Sequence, residues 1–146
     1  MKYLGLDLGS RTLGTAVSDP TGIIASSYKT IKHNEEYDRL IKEVKTIVDE
    51  LKIDVIILGF PKNMNNTIGP KGELSIDFKK KLEQVLSIPI YLQDERLTTK
   101  SATDMLIKGN VSRKARKKVV DSVAATIILQ TFLDKEKKIW KTIHLH

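Results

Sequence analysis

The sequence contains no cysteine, which excludes both disulfide bonds and thiolate metal sites. Any bound metal must therefore be held by oxygen ligands or by one of only three histidines. No apolar run approaches the roughly 20 residues that span a bilayer, and Asp7 interrupts the first apolar stretch, which argues against a secretory signal. These absences predict a cytoplasmic protein that is not inserted in a membrane.

Repeats and low-complexity segments are also missing, and the 146 residues match the length of one average domain. With 40% hydrophobic and 29% charged residues, the composition is that of a globular protein. We therefore expect a single domain over residues 1–146.

Acidic residues are outnumbered by basic ones, 18 to 25, which gives a net charge of +7. Six of the basic residues lie between positions 108 and 118 without an acid among them, so the rest of the chain carries only +1 (7 − 6). They are Lys108, Arg113, Lys114, Arg116, Lys117 and Lys118. Such a block is typical of a surface that binds a polyanion, although a solvated helix face or linker has the same composition.

The apolar pattern predicts an α/β fold with a mixed five-stranded sheet and helices on both of its faces. Three strands separated by turn-forming residues should form an antiparallel meander, and helices should then alternate with strands. The predicted strands are Lys2–Leu8, Gly14–Asp19, Ile23–Ile31, Val55–Leu58 and Ile88–Leu92. The predicted helices are Glu35–Leu51, Glu73–Leu86, Thr98–Ile107 and Val119–Leu133, with loops at Gly59–Gly72 and Lys108–Ser112.

Three acidic residues occupy positions where a charge needs an explanation. Asp7 lies inside the first strand, Glu95 follows the last strand, and Asp121 interrupts an otherwise apolar helix. Each has an ordinary alternative: a turn cap for Asp7, a surface ion pair for Glu95, and a helix N-terminal contact for Asp121. Ala124 and Ala125 follow Asp121 at helical spacing, so this helix face could approach the sheet closely.

Together the three carboxylates suit a hard, oxygen-preferring ion such as Mg²⁺ or Mn²⁺ and fit zinc poorly. Such ions support hydrolysis of phosphodiesters, and the basic block just before Asp121 would supply phosphate-binding charge. The pattern therefore favours a nuclease acting on nucleic acid.

Four segments resemble the YqgF (RuvX) family of Holliday junction resolvase-like proteins, and together they extend over nearly the whole chain. They are LGLDLGSRTLGTAVSD at 4–19, GFPKNM at 59–64, DERLTT at 94–99, and VDSVAA at 120–125 followed by Ile128-Leu129-Gln130. The family's central loop commonly reads Asn-Met-Asp-Gly, whereas this chain has Asn65-Asn66 in place of the last two residues.

The resemblance implies a ribonuclease H-like fold and a role in maturing the 5′ end of the 16S ribosomal RNA precursor. It also implies that Asp7, Glu95 and Asp121 are the catalytic, metal-binding residues. Substrate-binding roles are expected for Arg11, Arg96 and Thr99, and for Lys114, Arg116 and Lys117 of the basic block.

Other functions remain open at this point. A Holliday junction resolvase would apply the same chemistry to DNA and would act as a symmetric dimer. The sequence shows no recognisable dimerisation surface, so we expect a monomer or a weak homodimer. A non-catalytic nucleic-acid-binding module is disfavoured because all three acids are present. A sugar or acetate kinase is suggested by Asp7, Gly9, Thr12 and Gly14, but such kinases close two domains around ATP and this chain has the length of one.

Overall fold

The computed structural model describes residues 1–61, 67–94 and 123–136. Its sheet has five strands in the order β3-β2-β1-β4-β5. The strands are β1 (Tyr3–Leu8), β2 (Thr12–Ser18), β3 (Ala25–Lys32), β4 (Val55–Phe60) and β5 (Ile90–Asp94). The first three form an antiparallel meander, whereas β4 runs parallel to both β1 and β5. The predicted mixed sheet is confirmed.

Helices cover both faces of this sheet, as the sequence predicts. Helices α1 (Tyr37–Leu51) and α2 (Pro70–Val85) pack on one face, and a third helix, α3, spans residues 123–136 on the other. The core on the first face includes Leu4, Leu6 and Leu58. No helix in the described part of the chain is long and apolar enough to cross a membrane.

Strand β1 lies in the middle of the sheet and contributes side chains to both cores. Leu4, Leu6 and Leu8 alternate along it and belong to the α1 and α2 side. The residues between them, Gly5 and Asp7, therefore lie on the α3 side of the sheet.

The turn between β2 and β3 corrects the predicted start of the third strand, which is Ala25 and not Ile23. The Asp19 carboxylate accepts hydrogen bonds from the backbone N–H groups of Ile23 and Ile24, each at 2.8 Å. These residues are thereby held in the turn, where both remain exposed. The same hydrogen bonds, with one from the Thr21 hydroxyl, hold the pKa of Asp19 well below its usual range.

Strand β4 and helix α2 make the loop predicted at Gly59–Gly72 shorter at both ends. Gly59 and Phe60 belong to β4 because they pair with Gln93 and Asp94 of β5, partners that a single strand's sequence cannot reveal. Helix α2 begins at Pro70, since proline at the first helical position gives up no hydrogen bond.

The bounds of two other strands also shift: β2 spans Thr12–Ser18 instead of Gly14–Asp19, and β5 spans Ile90–Asp94 instead of Ile88–Leu92. Several predictions lie outside the described residues. These are the helix Thr98–Ile107, the loop Lys108–Ser112, the first turn of the helix Val119–Leu133 and the Asn65-Asn66 departure.

Candidate active site

Asp7 is partly buried near the carboxyl end of the central strand. Because β1, β4 and β5 are parallel, their carboxyl ends meet at one edge of the sheet. This edge is where sheets of this kind place their ligand-binding groups.

The neighbours of Asp7 within the sheet are glycines. On one side Asp7 pairs with Gly14 of β2. On the other side, extending the register in which Leu6 pairs with Leu58 puts Gly59 level with Asp7. Neither adjacent strand therefore projects a side chain beside the Asp7 carboxylate, which leaves lateral room that a β-carbon would fill.

Helix α3 crosses the same face in close contact with β1. A β-carbon added at Gly5 would lie 2.8 Å from Cβ of Leu129 and 3.1 Å from the carbonyl oxygen of Ala125. At the start of the strand, the rings of Tyr3 and Phe132 are 6.0 Å apart. Residues later in α3 therefore lie against residues earlier in β1. The helix thus runs antiparallel to β1, with its N-terminal end toward Asp7. The close approach predicted from Ala124 and Ala125 is confirmed.

Strand β5 presents alternate residues to the same face. The ring of Tyr91 stacks on that of Phe132, with centroids 6.1 Å apart and planes at 17°. Leu92 packs against the opposite core, and Gln93 is buried two residues after Tyr91. The strand ends at Asp94, the residue directly before Glu95.

The hairpin between β1 and β2 follows Asp7 and is held in place by hydrogen bonds to His33. The sequence analysis did not identify this residue. The backbone N–H of Gly9 donates to the Thr12 carbonyl at 2.8 Å, which closes the turn. His33 is 6% exposed, and its Nε2 lies 2.9 Å from the Gly9 carbonyl oxygen. Its backbone N–H also donates to the Arg11 carbonyl at 2.9 Å. A histidine between a strand and a helix carries no periodic signal, so only the fold reveals this role.

Arg11, an expected substrate-binding residue, is exposed on this hairpin, and its guanidinium donates to the side-chain oxygen of Asn34. Asn34 is itself anchored, because its backbone N–H donates to the Glu36 carboxylate at 2.8 Å. That bond, together with the Arg39 guanidinium at 3.2 Å, lowers the pKa of Glu36. The segment before α1 therefore sets the position of a cation on the hairpin that follows Asp7.

The remaining predicted site residues lie outside the described part of the chain. They are Glu95, Arg96, Thr99, Lys114, Arg116, Lys117 and Asp121. Within the described residues, no three histidine, aspartate or glutamate side chains form a group that could hold a metal ion. Asp7 and Arg11 are thus the two predicted site residues whose surroundings the structure shows.

Comparison with proteins of known structure identifies the fold. The chain is similar to *Thermus thermophilus* RuvC in complex with a Holliday junction substrate, with a TM-score of 0.56 at 14% identity over 88% of this chain and 91% of that one. The fowlpox virus Holliday junction resolvase gives the same TM-score at 16% identity, over 92% of this chain and 99% of that one. The predicted ribonuclease H-like fold is confirmed.

Sequence comparison identifies much nearer relatives, which carry the name "Putative pre-16S rRNA nuclease". The relative from *Bacillus subtilis* (strain 168) is 52% identical over 92% of this chain and 98% of its own length. That from *Geobacillus* sp. (strain WCH70) is 50% identical over 94% of this chain and its own full length. The family model described as "RuvX: Holliday junction resolvase" matches residues 1–135. The chain therefore belongs to the RuvX family.

Proposed function

We propose that this protein is a metal-dependent endonuclease that hydrolyses phosphodiester bonds in the precursor of 16S ribosomal RNA, at its 5′ end. The observation that carries the proposal is the close packing of α3 on Gly5, which directs the N-terminal end of the helix toward Asp7 at the carboxyl edge of the parallel strands. The names of the relatives support the substrate.

The geometry of β5 supports the assignment of Glu95 to the same site. Tyr91 and the buried Gln93 occupy the α3 side, so continued alternation would bring Glu95 to the side that carries Asp7. Gln93 pairs with Gly59, which is level with Asp7, and this row is two strand spacings or about 10 Å wide. Glu95 follows Gln93 by two residues, so its side chain could reach back from that end of the row to share a ligand with Asp7.

The geometry of α3 supports the assignment of Asp121. From Gly5 to Asp7 the strand advances by about 7 Å, which corresponds to four or five residues of helix. Gly5 contacts both Ala125 and Leu129, so the helical positions level with Asp7 lie four or five residues before these, within a range that includes Asp121. The part of the helix that the structure describes includes Val123, two residues after Asp121 in the sequence.

The donor set fits a hard divalent cation. Asp7, Glu95 and Asp121 would hold Mg²⁺ or Mn²⁺ with carboxylate oxygens, and the glycines on either side of Asp7 leave room beside it. Such an ion would activate water and stabilise the charge that develops on the phosphate. Arg11, held by Asn34, would orient a phosphate of the substrate, with Arg96 and Thr99 assisting.

A second candidate function is resolution of Holliday junctions in DNA. It is favoured by the description of the family model and by the fold that this chain shares with two resolvases. A resolvase must cut two strands symmetrically and is therefore expected to act as a dimer. Cleavage of a four-way junction at paired positions by a dimeric protein would favour this function over ribosomal RNA processing.

The test is cleavage of a 16S precursor transcript and of a four-way DNA junction, each with Mg²⁺ or Mn²⁺. Asp7→Asn, Glu95→Gln and Asp121→Asn should each reduce cleavage to background, because each removes ligand charge without changing shape. Asp49→Asn and Glu50→Gln, exposed acids on α1, are the matched controls and should cleave as the parent does.

Thermal unfolding provides a readout independent of activity. Without metal, the three site variants should melt at or above the parent's temperature because repulsion among the acids is relieved. Added Mg²⁺ should raise the melting temperature of the parent and not that of the variants. Full cleavage by any site variant would refute the assignment, and binding without cleavage by the parent would indicate a non-catalytic module.

A further inference from the structure

The outermost strand of the meander, β3, carries an exposed surface that the site described above does not use. The sheet order places β3 at an edge, and its residues from Ser26 to Thr30 are all exposed, as is Lys32. Exposed edge strands tend to pair with other chains, so the side chains that such a strand exposes require a functional or protective explanation. We define the β3 surface as Ser26, Tyr28, Lys29, Thr30 and Lys32.

The chemistry of the β3 surface is that of a binding site for a polyanion. It combines two aliphatic hydroxyl groups, two lysines and a tyrosine that is 39% exposed, and no acid occurs between Asp19 and Glu35. Neither lysine forms a salt bridge with another described residue. The Lys29 ammonium lies over the Tyr28 ring, 5.6 Å from its centre, so the cation and one face of the ring form a cation–π contact.

A β-bulge fixes this presentation. Gly14 and Ala16 of β2 pair with Thr30 and Ser27, which leaves Tyr28 and Lys29 together opposite the single residue Thr15. The buried Thr15 hydroxyl donates to the Lys29 carbonyl at 2.6 Å and accepts from the Lys29 N–H at 3.0 Å. Bulges redirect side chains, and this one is anchored from inside the protein, so Tyr28 and Lys29 project from a rigid backbone.

The β3 surface is also close to the proposed catalytic carboxylates. Asp7 pairs with Gly14, and Gly14 pairs with Thr30, so the three residues form one row across the sheet. Two strand spacings separate Thr30 from Asp7, a distance of about 10 Å between backbones. A chain lying along β3 would therefore pass within a few nucleotides of the site.

We propose that the β3 surface binds single-stranded nucleic acid and guides it to Asp7, with phosphates at Lys29 and Lys32 and a base stacked on Tyr28. Cationic side chains beside an aromatic platform are the elements that single-strand binding requires. A second copy of the chain is a poorer occupant, because pairing two β3 edges would bring their lysines together. The inference rests on the proposed function, since a guiding surface matters only if nucleic acid is the substrate.

The test measures binding of fluorescent single-stranded RNA and DNA oligonucleotides of one sequence to the full-length protein, with Asp7→Asn present throughout to prevent cleavage. Replacing Tyr28 by Leu should weaken binding roughly 5- to 150-fold, while Tyr28→Phe, which keeps the ring, should bind nearly as the parent does. Lys29→Gln with Lys32→Gln should reduce the slope of log affinity against log salt by about 1.4, since each phosphate contact contributes about 0.7.

The matched control is Lys42→Gln with Lys45→Gln, which removes the same charge from exposed positions on α1, outside the β3 surface. It should leave the affinity close to the parent's. Equal binding by the β3 variants and the control would overturn the proposal. If the β3 variants bound normally but self-associated in sedimentation, the lysines would serve only to block edge pairing, which also overturns it.

The outcome separates this proposal from the proposed function. Weakened binding by the β3 variants supports the surface whether or not the parent cleaves RNA. The converse result is a parent that cleaves in a carboxylate-dependent way while the β3 variants bind normally. That result would support the proposed function and refute the role of the β3 surface.

Discussion

The Nε2 atom of the buried His33 ring lies 2.9 Å from the carbonyl oxygen of Gly9. The opposite ring nitrogen, Nδ1, accepts a hydrogen bond from the backbone N–H of Glu35 at 3.0 Å. Because Nδ1 must keep its lone pair for that bond, the proton of the neutral ring resides on Nε2 and is donated to Gly9. His33 thus ties the turn after Asp7 to the segment that leads into α1.

Replacing His33 by Leu should therefore destabilise the protein and impair cleavage. The change leaves the Gly9 carbonyl and the Glu35 N–H group, both only partly shielded from solvent, without their partner, at a cost of about 0.5–1.5 kcal/mol for each lost hydrogen bond. His33→Gln is the matched variant, because its amide can donate to Gly9 and accept from Glu35. Urea unfolding and cleavage rates check this prediction, and a Leu variant as stable and active as the Gln variant would contradict it.

Gly5→Ala should separate α3 from the sheet. The new β-carbon would lie 2.8 Å from Cβ of Leu129 and 3.1 Å from the Ala125 carbonyl, and neither is the flexible end of a side chain. We expect a loss of about 1–3 kcal/mol in unfolding free energy, as for other overpacked cores. Cleavage by the folded fraction should fall as well, because α3 leads directly to Asp121. Calorimetry and rates measured well below the melting temperature test this, and parental values in both would show that the contact is not tight.

The sequence predicts the elements of this fold well because its apolar periods are regular. The stripe from Leu40 to Leu51 and the continuous run from Val55 to Leu58 each match a single element. Ends of elements are harder, because they depend on partners distant in sequence: Phe60 joins β4 through Asp94 of β5.

Some features of the candidate site could likewise be predicted from the sequence, and others could not. The position of Asp7 and the approach of α3 follow from local patterns, such as the small residues Ala124 and Ala125. The His33 contact with Gly9 and the bulge held by Thr15 arise only when three strands come together. Neither leaves a periodic trace in the sequence, so neither could be read from it.

The turn at Asp19 predicts a stability difference that depends on pH. The N–H group of Ile24, the Thr21 hydroxyl and the N–H group of Ile23 hold the folded-state pKa of Asp19 below its unfolded value of about 4. The stabilisation is therefore complete above pH 4 and is lost as the pH falls through the folded-state pKa. Asp19→Asn should lower the melting temperature at pH 7, and its difference from the parent should shrink toward pH 3.

Thermal melts of the parent and Asp19→Asn at pH 7, 5 and 3 measure this effect. Asp77→Asn, an exposed acid on α2, is the control for removing one negative charge. A difference for Asp19→Asn that stays constant over this range would mean that the carboxylate's charge does not stabilise the turn.

The basic block at residues 108–118 should bind phosphates without regard to sequence. Neutralising Lys114, Arg116 and Lys117 should flatten the slope of log affinity against log salt by up to about 2, at about 0.7 for each phosphate contact with a single strand. Cleavage at saturating substrate should be largely unchanged, because these side chains contribute binding and none is a proposed metal ligand. A variant with Lys42, Lys45 and Lys52 neutralised removes equal charge from α1 and its C-terminal end. Equal salt slopes for the two variants would reduce the block to a solvated surface, and a loss of turnover with intact binding would assign it to the catalytic machinery.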